Sequence, residues 1–409
     1  MITHHIQTLM KELCGRINTN IDINKWFDIL TFDIISHMTF GESFSALPTG
    51  ELDPFTVDLF GKFKMYNLIY LSREYGWINS LVKMMMKLPS VAEQQRKYFE
   101  GTRLKVEKRM QTDNPNEHDF MRYILHNNNE NAMDLNEIIG TTTVLVNGGG
   151  QEMAVCLSTT LYFMLKNPVW LKRSQEELGV DHGNNTACIE AAVNEAMRLH
   201  PPAAGNFQRR TADMGIFVDG HFIPPNTSVG VSQYAAFHSP ANFHDPERFA
   251  PERWLPNPPA EFCSDNKAAF HPFSMGPRNC IGKNLALAIV TQTLADLLRD
   301  FDIDLKAESS EWTKGQTFHV GWWRPPLLQE PLAVLDRLRL SVDVNLINQS
   351  ITIPQAAPTD RIVGGFVIPA GTNFIVDSYA LNTHNTYWGD DNTAYRPTRF
   401  LERNAVRSR

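Results

Sequence analysis

The sequence predicts a mainly α-helical protein with a small β region. Through residues 1 to about 200, apolar residues recur at steps of three and four, which is the spacing of amphipathic helices. From residue 211 the pattern changes to short alternating runs separated by Asp-Gly and Pro-Pro turn signals, and these favour strands. A further apolar-faced segment predicts a helix over residues 283–300.

The composition is that of a globular protein with a large core. The chain has 409 residues, of which 43% are hydrophobic and 20% are charged, so disorder is not indicated. The net charge of −7 gives no reason to expect nucleic-acid binding, and no polybasic run favours a membrane surface. The five cysteines are odd in number and far apart, which gives no sign of a disulfide framework or a zinc site and favours a reducing compartment.

The hydropathy pattern gives no sign of a membrane anchor. The first residues, "MITHHIQTLMKELCGRINTN", lack the apolar core of a signal peptide. No apolar run reaches the length of a transmembrane helix. We therefore expect that any membrane attachment would need a segment absent from this sequence.

The predicted helices have recognisable ends. The first, over residues 1–17, places its apolar residues on one face, and the second stops at Gly41. The longest runs from Asp134 to Asn167. Asp134 and Glu137 resemble a capping box at its start, and Asn167 followed by proline supplies its stop signal.

Three consecutive glycines, Gly148 to Gly150, lie in the middle of the longest helix. Each glycine costs about 1 kcal/mol relative to alanine in a helix interior. Such a run needs a reason, and the sequence leaves three open: a ligand that approaches closely, a local distortion, or packing against another backbone.

An internal repeat relates residues 220–255 to residues 365–401. The two segments agree at six positions, with one single-residue shift. The matched pairs are Ile223/Ile368, Pro224/Pro369, Thr227/Thr372, Tyr234/Tyr379, Asp245/Asp390 and Arg253/Arg399. We therefore divide the chain into a first unit, residues 1–329, and a partial second copy, residues 330–409.

The segment "FSMGPRNCIG" fits the pattern F-x-x-G-x-R-x-C-x-G at every fixed position. Its fixed residues are Phe273, Gly276, Arg278, Cys280 and Gly282. The glycines allow a tight loop whose backbone can lie close to a flat cofactor, and the arginine can neutralise a carboxylate on that cofactor. The cysteine directly precedes a predicted helix, whose N-terminal N–H groups and dipole stabilise a thiolate. The alternative for Cys280 is an inert packing residue.

Two further patterns are weak on their own. "EAMR" places Glu195 and Arg198 three apart on a predicted helix, which is most often a surface pair. "APERW" places Arg253 ahead of the cysteine loop.

Together and in this order, the three patterns resemble the cytochrome P-450 haem–thiolate family, in particular its fungal branch of secondary metabolism. The segments "HDPERFAPERWLP" and "FHVGWWRPPLL" support that placement. The resemblance implies haem b as cofactor, with Cys280 as the axial thiolate on iron. It implies that Arg278 meets a haem propionate, with Arg209 as a second candidate. It also implies that Glu195, Arg198 and Arg253 form a buried polar triad beneath the haem loop.

The resemblance further implies an oxidoreductase, a monooxygenase that inserts one oxygen atom of O₂ into an apolar small molecule, such as a terpenoid or a polyketide. Electrons would come from NADPH through a flavin-containing reductase. The location would be the cytosolic face of the endoplasmic reticulum, or the cytosol if no anchor is present. Two alternatives stay open: a catalytically silent or truncated haem-binding protein, and a haem–thiolate enzyme that uses peroxide or isomerises its substrate without O₂.

The sequence departs from the family's pattern at the glycine run. The family has an acid followed by a threonine at the positions that Gln151 and Glu152 occupy here. That acid–alcohol pair relays protons, and proton delivery needs a titratable or hydroxylic donor. We therefore predict that Gln151 and Glu152 line the oxygen site, and that protons, if delivered, pass through Glu152.

The resemblance also predicts a fold that is incomplete at the N-terminus. The chain begins at a position that corresponds to the family's fourth helix. We expect the membrane anchor, the N-terminal sheet and a helix with further propionate contacts to be missing. The second copy has no cysteine loop and is expected to hold no haem by itself.

Overall fold

The structure is a computed structural model. It describes residues 1–16, 21–53, 56–57, 80, 82, 84–85, 87–112, 119–126, 133–180, 185–205, 208–301, 303, 305, 311–318, 321–325 and 327, together with four strands between residues 353 and 376. Within these ranges, no helix has both the length and the apolar character needed to cross a membrane.

The described helices follow the predicted α-rich pattern. They are α1 (Ile2–Cys14), α2 (Ile23–Phe40), α3 (Pro89–Gln111), α4 (Phe120–His126), α5 (Leu135–Leu165), α6 (Pro168–Val180), α7 (Ala187–Leu199), α8 (Gln233–Phe237) and α9 (Lys283–Asp300). The predictions for the longest helix and for residues 283–300 are confirmed. At α5, the Glu137 amide donates to Asp134 Oδ1 at 2.9 Å and the Asp134 amide donates to Glu137 Oε2 at 3.0 Å, which is the predicted capping box.

The strands are short and pair antiparallel. In the first unit they are β1 (Arg209–Arg210), β2 (Ile216–Val218), β3 (His221–Ile223), β4 (Ser228–Val229), β5 (Thr317–Phe318) and β6 (Trp322–Trp323). β1 pairs with β4, β2 with β3, and β5 with β6. Asp219 and Gly220 join β2 to β3 with φ of 50° and 76°, the left-handed turn that the Asp-Gly signal predicts.

One part of the predicted β region is wrong. Residues 233–237 form helix α8, whereas the alternating pattern that begins at residue 211 predicts a strand for the run that ends at Phe237. The physical reason is local: Ser232 caps the helix by accepting the Ala235 amide at 3.3 Å. Its five residues are too few for periodicity to separate helix from strand.

The core forms where α2 packs along α5, the most extensive helix pairing among the described residues. The pairing explains two of the three glycines. A Cβ on Gly149 would lie 2.6 Å from Ile35 Cδ1, and a Cβ on Gly150 would lie 2.6 Å from the Phe32 ring. Gly148 has open space around its Cβ position. Close packing therefore accounts for Gly149 and Gly150, where the neighbours are side chains of α2.

The second copy contains strands at positions that correspond to strands of the first unit. They are β7 (Ile353–Ala356), β8 (Arg361–Val363), β9 (Phe366–Ile368) and β10 (Asn373–Val376), with β7 paired to β10 and β8 to β9. The β8–β9 pair Arg361↔Ile368 is the counterpart of the β2–β3 pair Ile216↔Ile223. The remaining repeat positions of the second copy, such as Tyr379, Asp390 and Arg399, lie outside the described residues.

Candidate functional site

The cysteine loop folds back on itself ahead of helix α9. The Cys280 amide donates to the Phe273 carbonyl at 2.9 Å, which closes the loop. Gly276 has φ +76°, a conformation that favours glycine, and it opens a single turn that ends at Arg278. Cys280 is exposed, and a Cβ on Gly282 would lie 3.9 Å from its sulfur.

The loop presents a thiol at a helix N-terminus, together with an unpaired cation. Gly282 is the N-cap of α9 and Lys283 is its first residue, so the unbonded amides of the first turn lie next to Cys280. Arg278 is exposed and has no hydrogen-bond or ion-pair partner among the described residues. Ile281 is 95% exposed, which leaves a large apolar side chain uncovered beside the thiol.

One face of α5 is open where the opposite face is packed. Val144, Gly148 and Glu152 follow at four-residue steps and therefore share a face of the helix. Val144 is 71% exposed, and nothing lies within 4 Å of a Cβ at Gly148. The open face is therefore the side of α5 turned away from α2.

Glu152 is a half-buried residue whose Oε2 atom is enclosed and has no hydrogen-bond partner among the described residues. Burial raises the pKa of this carboxyl to about 8, an effect that the charge of Arg324 partly opposes. An acid with such a pKa is mostly protonated at neutral pH and can donate a proton.

Gln151 lies on a different side of the helix. It is buried, and its Nε2 donates to the Trp322 carbonyl at 3.2 Å. A Cβ on Gly321 would overlap the Gln151 amide, so the two residues approach closely and that side chain would have to shift to admit a larger residue. The contact gives Gln151 a structural partner, and the structure does not bring its side chain together with Glu152.

The structure brings Glu195, Arg198 and Arg253 together in a fully buried cluster. Glu195 accepts two hydrogen bonds from Arg198, both at 2.9 Å, and one from Arg253 Nε at 3.1 Å. It also accepts the Ala250 amide and the Trp254 indole N–H. The surface-pair interpretation of "EAMR" is thereby removed.

A fourth charged residue, Asp265, completes this cluster and was missed in the sequence. Arg253 Nη1 donates to Asp265 Oδ2 at 2.5 Å, and the pair is fully buried. Arg198 meanwhile donates to the carbonyls of Phe237, Pro246 and Arg248. Two carboxylates therefore balance two guanidinium groups, and Arg198 fixes the chain that leads towards the cysteine loop.

Arg209 lies apart from these groups. It is exposed on β1 and donates to the carbonyl of its neighbour Gln208 at 3.0 Å. No contact in the described structure links it to the cysteine loop.

The comparison with family models decides the classification. The model described as cytochrome P-450 matches residues 1–329 and 346–409. The chain belongs to the cytochrome P-450 family. The family predicted from the three motifs is thereby confirmed.

Curated relatives in this family carry the name cytochrome P-450 monooxygenase. The chain is 36% identical over 328 residues to olcB of Penicillium canescens, covering 75% of this chain and 66% of the relative. It is 32% identical over 343 residues to stcF of Emericella nidulans, covering 80% of this chain and 70% of the relative. The cytochrome P-450 chain thus spans about two thirds of the length of the curated relatives it matches.

Solved structures show the fold. The haem domain of cytochrome P-450DA aligns with a TM-score of 0.63 at 19% identity, over 80% of this chain and 71% of that one. A cytochrome P-450 described as CYP102L1 aligns with a TM-score of 0.64 at 20% identity, over 80% of this chain and 72% of that one. The predicted mainly α fold of the cytochrome P-450 type is confirmed.

The family implies a haem, and the residues of this cytochrome P-450 fit one. The donor is an exposed thiol at a helix N-terminus, which suits an iron-bound thiolate. Arg278 is available to a propionate, and Gly276 leaves the loop surface free of a side chain. The open face of α5 has free space beside Gly148, where nothing lies within 4 Å of a Cβ position.

Proposed function

We propose that this cytochrome P-450 binds haem b through Cys280 and acts as a monooxygenase on an apolar small molecule, of terpenoid or polyketide type. The observation that carries the proposal is the closed loop with an exposed thiol at the N-terminus of α9. The monooxygenase names of the relatives support the same activity. The haem, when bound, supplies the oxygen chemistry, and the protein supplies ligation, orientation and protons.

Each site residue then has a role that its surroundings support. Cys280 ligates the iron, and Phe273, Gly276 and Gly282 hold the loop that presents it. Arg278 binds a propionate, and Arg209 is a second candidate. The buried cluster of Glu195, Arg198 and Arg253 holds in place the segment that begins at the end of α8 and leads along the chain to the cysteine loop.

Proton delivery falls to Glu152. Its enclosed, unpaired oxygen and its raised pKa favour a carboxylic acid that keeps its proton at neutral pH. The side chain shares the open face of α5 with Gly148, the face proposed to line the oxygen site. Gln151, by contrast, donates a hydrogen bond to the Trp322 carbonyl, and this bond favours a structural role for Gln151.

Partners and location rest on the family alone. We propose that electrons come from NADPH through a flavin-containing reductase and that the protein works at the cytosolic face of the endoplasmic reticulum. We also propose that residues 1–329 form the haem-binding unit and that residues 330–409 are a partial second copy, an idea that the matching hairpin registers support.

The carbon-monoxide difference spectrum of the reduced protein tests the ligand. We expect the red-shifted Soret band of a thiolate-ligated haem in the wild type and its loss in Cys280→Ser. Cys263→Ser is the matched control, because that cysteine is also exposed but lies outside the loop, and it should keep the band. A purified chain that takes up no haem would contradict every catalytic proposal.

A second function is favoured by the Gln151–Glu152 segment, which lacks the family's acid–alcohol pair. A haem–thiolate enzyme that uses peroxide has no need of that pair. Product formation with peroxide but not with NADPH and reductase would favour this second function. Product formation with NADPH and reductase would favour the first.

A further inference from the structure

The sheet of β1 and β4 has an edge that no strand of the first unit covers among the described residues. Within that unit β4 pairs only with β1, and Arg210 lies opposite Ser228. The Thr211 amide donates to the Thr227 carbonyl at 3.0 Å, so this neighbouring position is the hydrogen-bonded one. Because bonded and non-bonded positions alternate in an antiparallel pair, the N–H and C=O of Ser228 point away from β1. We call the side to which they point the outer edge of β4.

Strand β7 of the second copy lies beside β4. Cα atoms of the two strands approach within 8 Å of each other. Stacked sheets lie about 10 Å apart, whereas neighbouring strands of one sheet lie about 4.8 Å apart, so the approach is side by side. Since β1 occupies the other edge of β4, β7 lies at the outer edge. No ladder bonds join β7 to β4, and the pairs β1–β4 and β7–β10 are separate two-stranded sheets.

The strand that lies at the outer edge is the counterpart of β1 in the internal repeat. The offset that carries Ile223 onto Ile368 also carries Arg209–Arg210 of β1 onto Pro354–Gln355 of β7. By the same offset, β4 corresponds to β10, the strand with which β7 is paired. β4 therefore has β1 on one edge and the repeat's version of β1 on the other.

The edge of β7 that remains uncovered by β10 can accept hydrogen bonds. Pro354 lies opposite Ile375 of β10, and proline has no N–H with which to form a hydrogen-bonded pair. Pro354 therefore takes a non-bonded position, and its carbonyl points away from β10. This acceptor and the N–H of Ser228 belong to the two edges that the existing pairs leave uncovered.

We propose that the second copy docks on the first unit through this contact, with β7 covering the outer edge of β4 as a partner strand within the same chain. An uncovered strand edge is a template for pairing with other chains, so the docked strand would protect the first unit from such pairing. The contact gives the partial copy a role that needs no cysteine loop. It depends on the arrangement of the strands and on neither haem binding nor activity.

Cross-linking of the full chain tests the contact. Ser228→Cys and Gln355→Cys are combined in one chain, which is treated with a short bismaleimide, and the linked peptides are identified by mass spectrometry. Docking predicts a product within one chain that joins positions 228 and 355. The native exposed cysteines Cys14 and Cys263 are controls, because an undocked second copy would couple to them as readily as to position 228. Coupling without preference, or a product found only between two chains, would overturn the proposal.

Hydrogen exchange, resolved to single residues by electron-transfer fragmentation, tests the same edge without a cross-linker. Gln355→Pro removes the amide opposite Phe374 and should open the β7–β10 pair. We expect the Ser228 amide to exchange faster in this variant than in the wild type. The Val229 amide, which points to β1, should keep its rate, as should both amides in the control Gln355→Ala. Equal exchange of the Ser228 amide in the wild type and Gln355→Pro would contradict docking. The carbon-monoxide spectrum reports on haem ligation separately from both tests.

Discussion

The two buried charge clusters of this cytochrome P-450 are built differently. In the cluster around Glu195, the carboxylates of Glu195 and Asp265 balance Arg198 and Arg253, and both oxygens of Glu195 are bonded. Between α2 and α5, Asp28 bonds Arg324, and on another face of α5 Glu152 Oε2 has no hydrogen-bond partner among the described residues. The fully bonded cluster suits a structural role, whereas the enclosed, unbonded oxygen of Glu152 suits a chemical one.

Breaking the balanced cluster should have the largest effect. Arg253→Ala leaves Glu195 and Asp265 short of a buried partner, and such a loss typically costs about 3–5 kcal/mol. We expect a lower free energy of unfolding in denaturant titrations and little folded protein. Arg248→Ala is the control, because Arg248 is 43% exposed and its pairs with Glu252 and Glu261 lie at the surface, where each contributes about 0–1 kcal/mol. Equal losses in the two variants would remove the distinction between the clusters.

The glycines test how closely α5 must approach α2 for the second cluster to form. Gly150→Ala places a Cβ 2.6 Å from the Phe32 ring, and overpacking of this kind costs about 1–3 kcal/mol. Gly148→Ala meets open space and should stabilise the helix by up to about 1 kcal/mol. Thermal unfolding of the two variants measures the contrast. If Gly148→Ala were the more damaging, the assignment of the packed and open faces would be wrong.

Measured per pH unit, the smallest effect is the dependence of stability on pH that Glu152 contributes. Its pKa rises from 4.5 to about 8 on folding, so the folded protein holds a proton that the unfolded chain has released between those values. This contribution to stability is present below pH 4.5 and is lost as the pH rises through 8, by at most about 1.4 kcal/mol per pH unit. Glu152→Gln should abolish that part of the slope in urea titrations at several pH values. An unchanged slope would show that Glu152 is ionised in the folded protein.

Sequence patterns predicted the helices whose formation depends on residues that lie close together in the chain. Lys283–Asp300 is helical because its apolar residues repeat at helical spacing, and α5 begins directly after Asp134 because the two capping-box residues lie only three positions apart. The triad was predictable because the resemblance supplied it. Asp265, Asp28 and Arg324 were missed, since each is a lone polar residue with no local pattern, and Asp28 lies 296 positions from its partner.

The glycine run shows the same limit within a single motif. For Gly148 to Gly150, three explanations are open from the sequence alone, and the sequence offers no means of choosing among them. The choice depends on Phe32 and Ile35, which pack against the glycines. These two residues belong to a helix more than a hundred positions earlier, and only the folded structure brings them into contact with α5. The same holds for Gln151, whose partner Trp322 lies 171 positions away.

The hydrogen bond from the Ile23 amide to the Leu327 carbonyl has a consequence for synthesis of the protein on the ribosome. The start of α2 finds its backbone partner only after nearly the whole first unit has been translated, because Leu327 lies at its end. Until then Arg324 is absent, and Asp28 has no cation to bind. The α2–α5 core can therefore form early from its apolar contacts, while its charge balance is completed last, as residues 321–327 emerge.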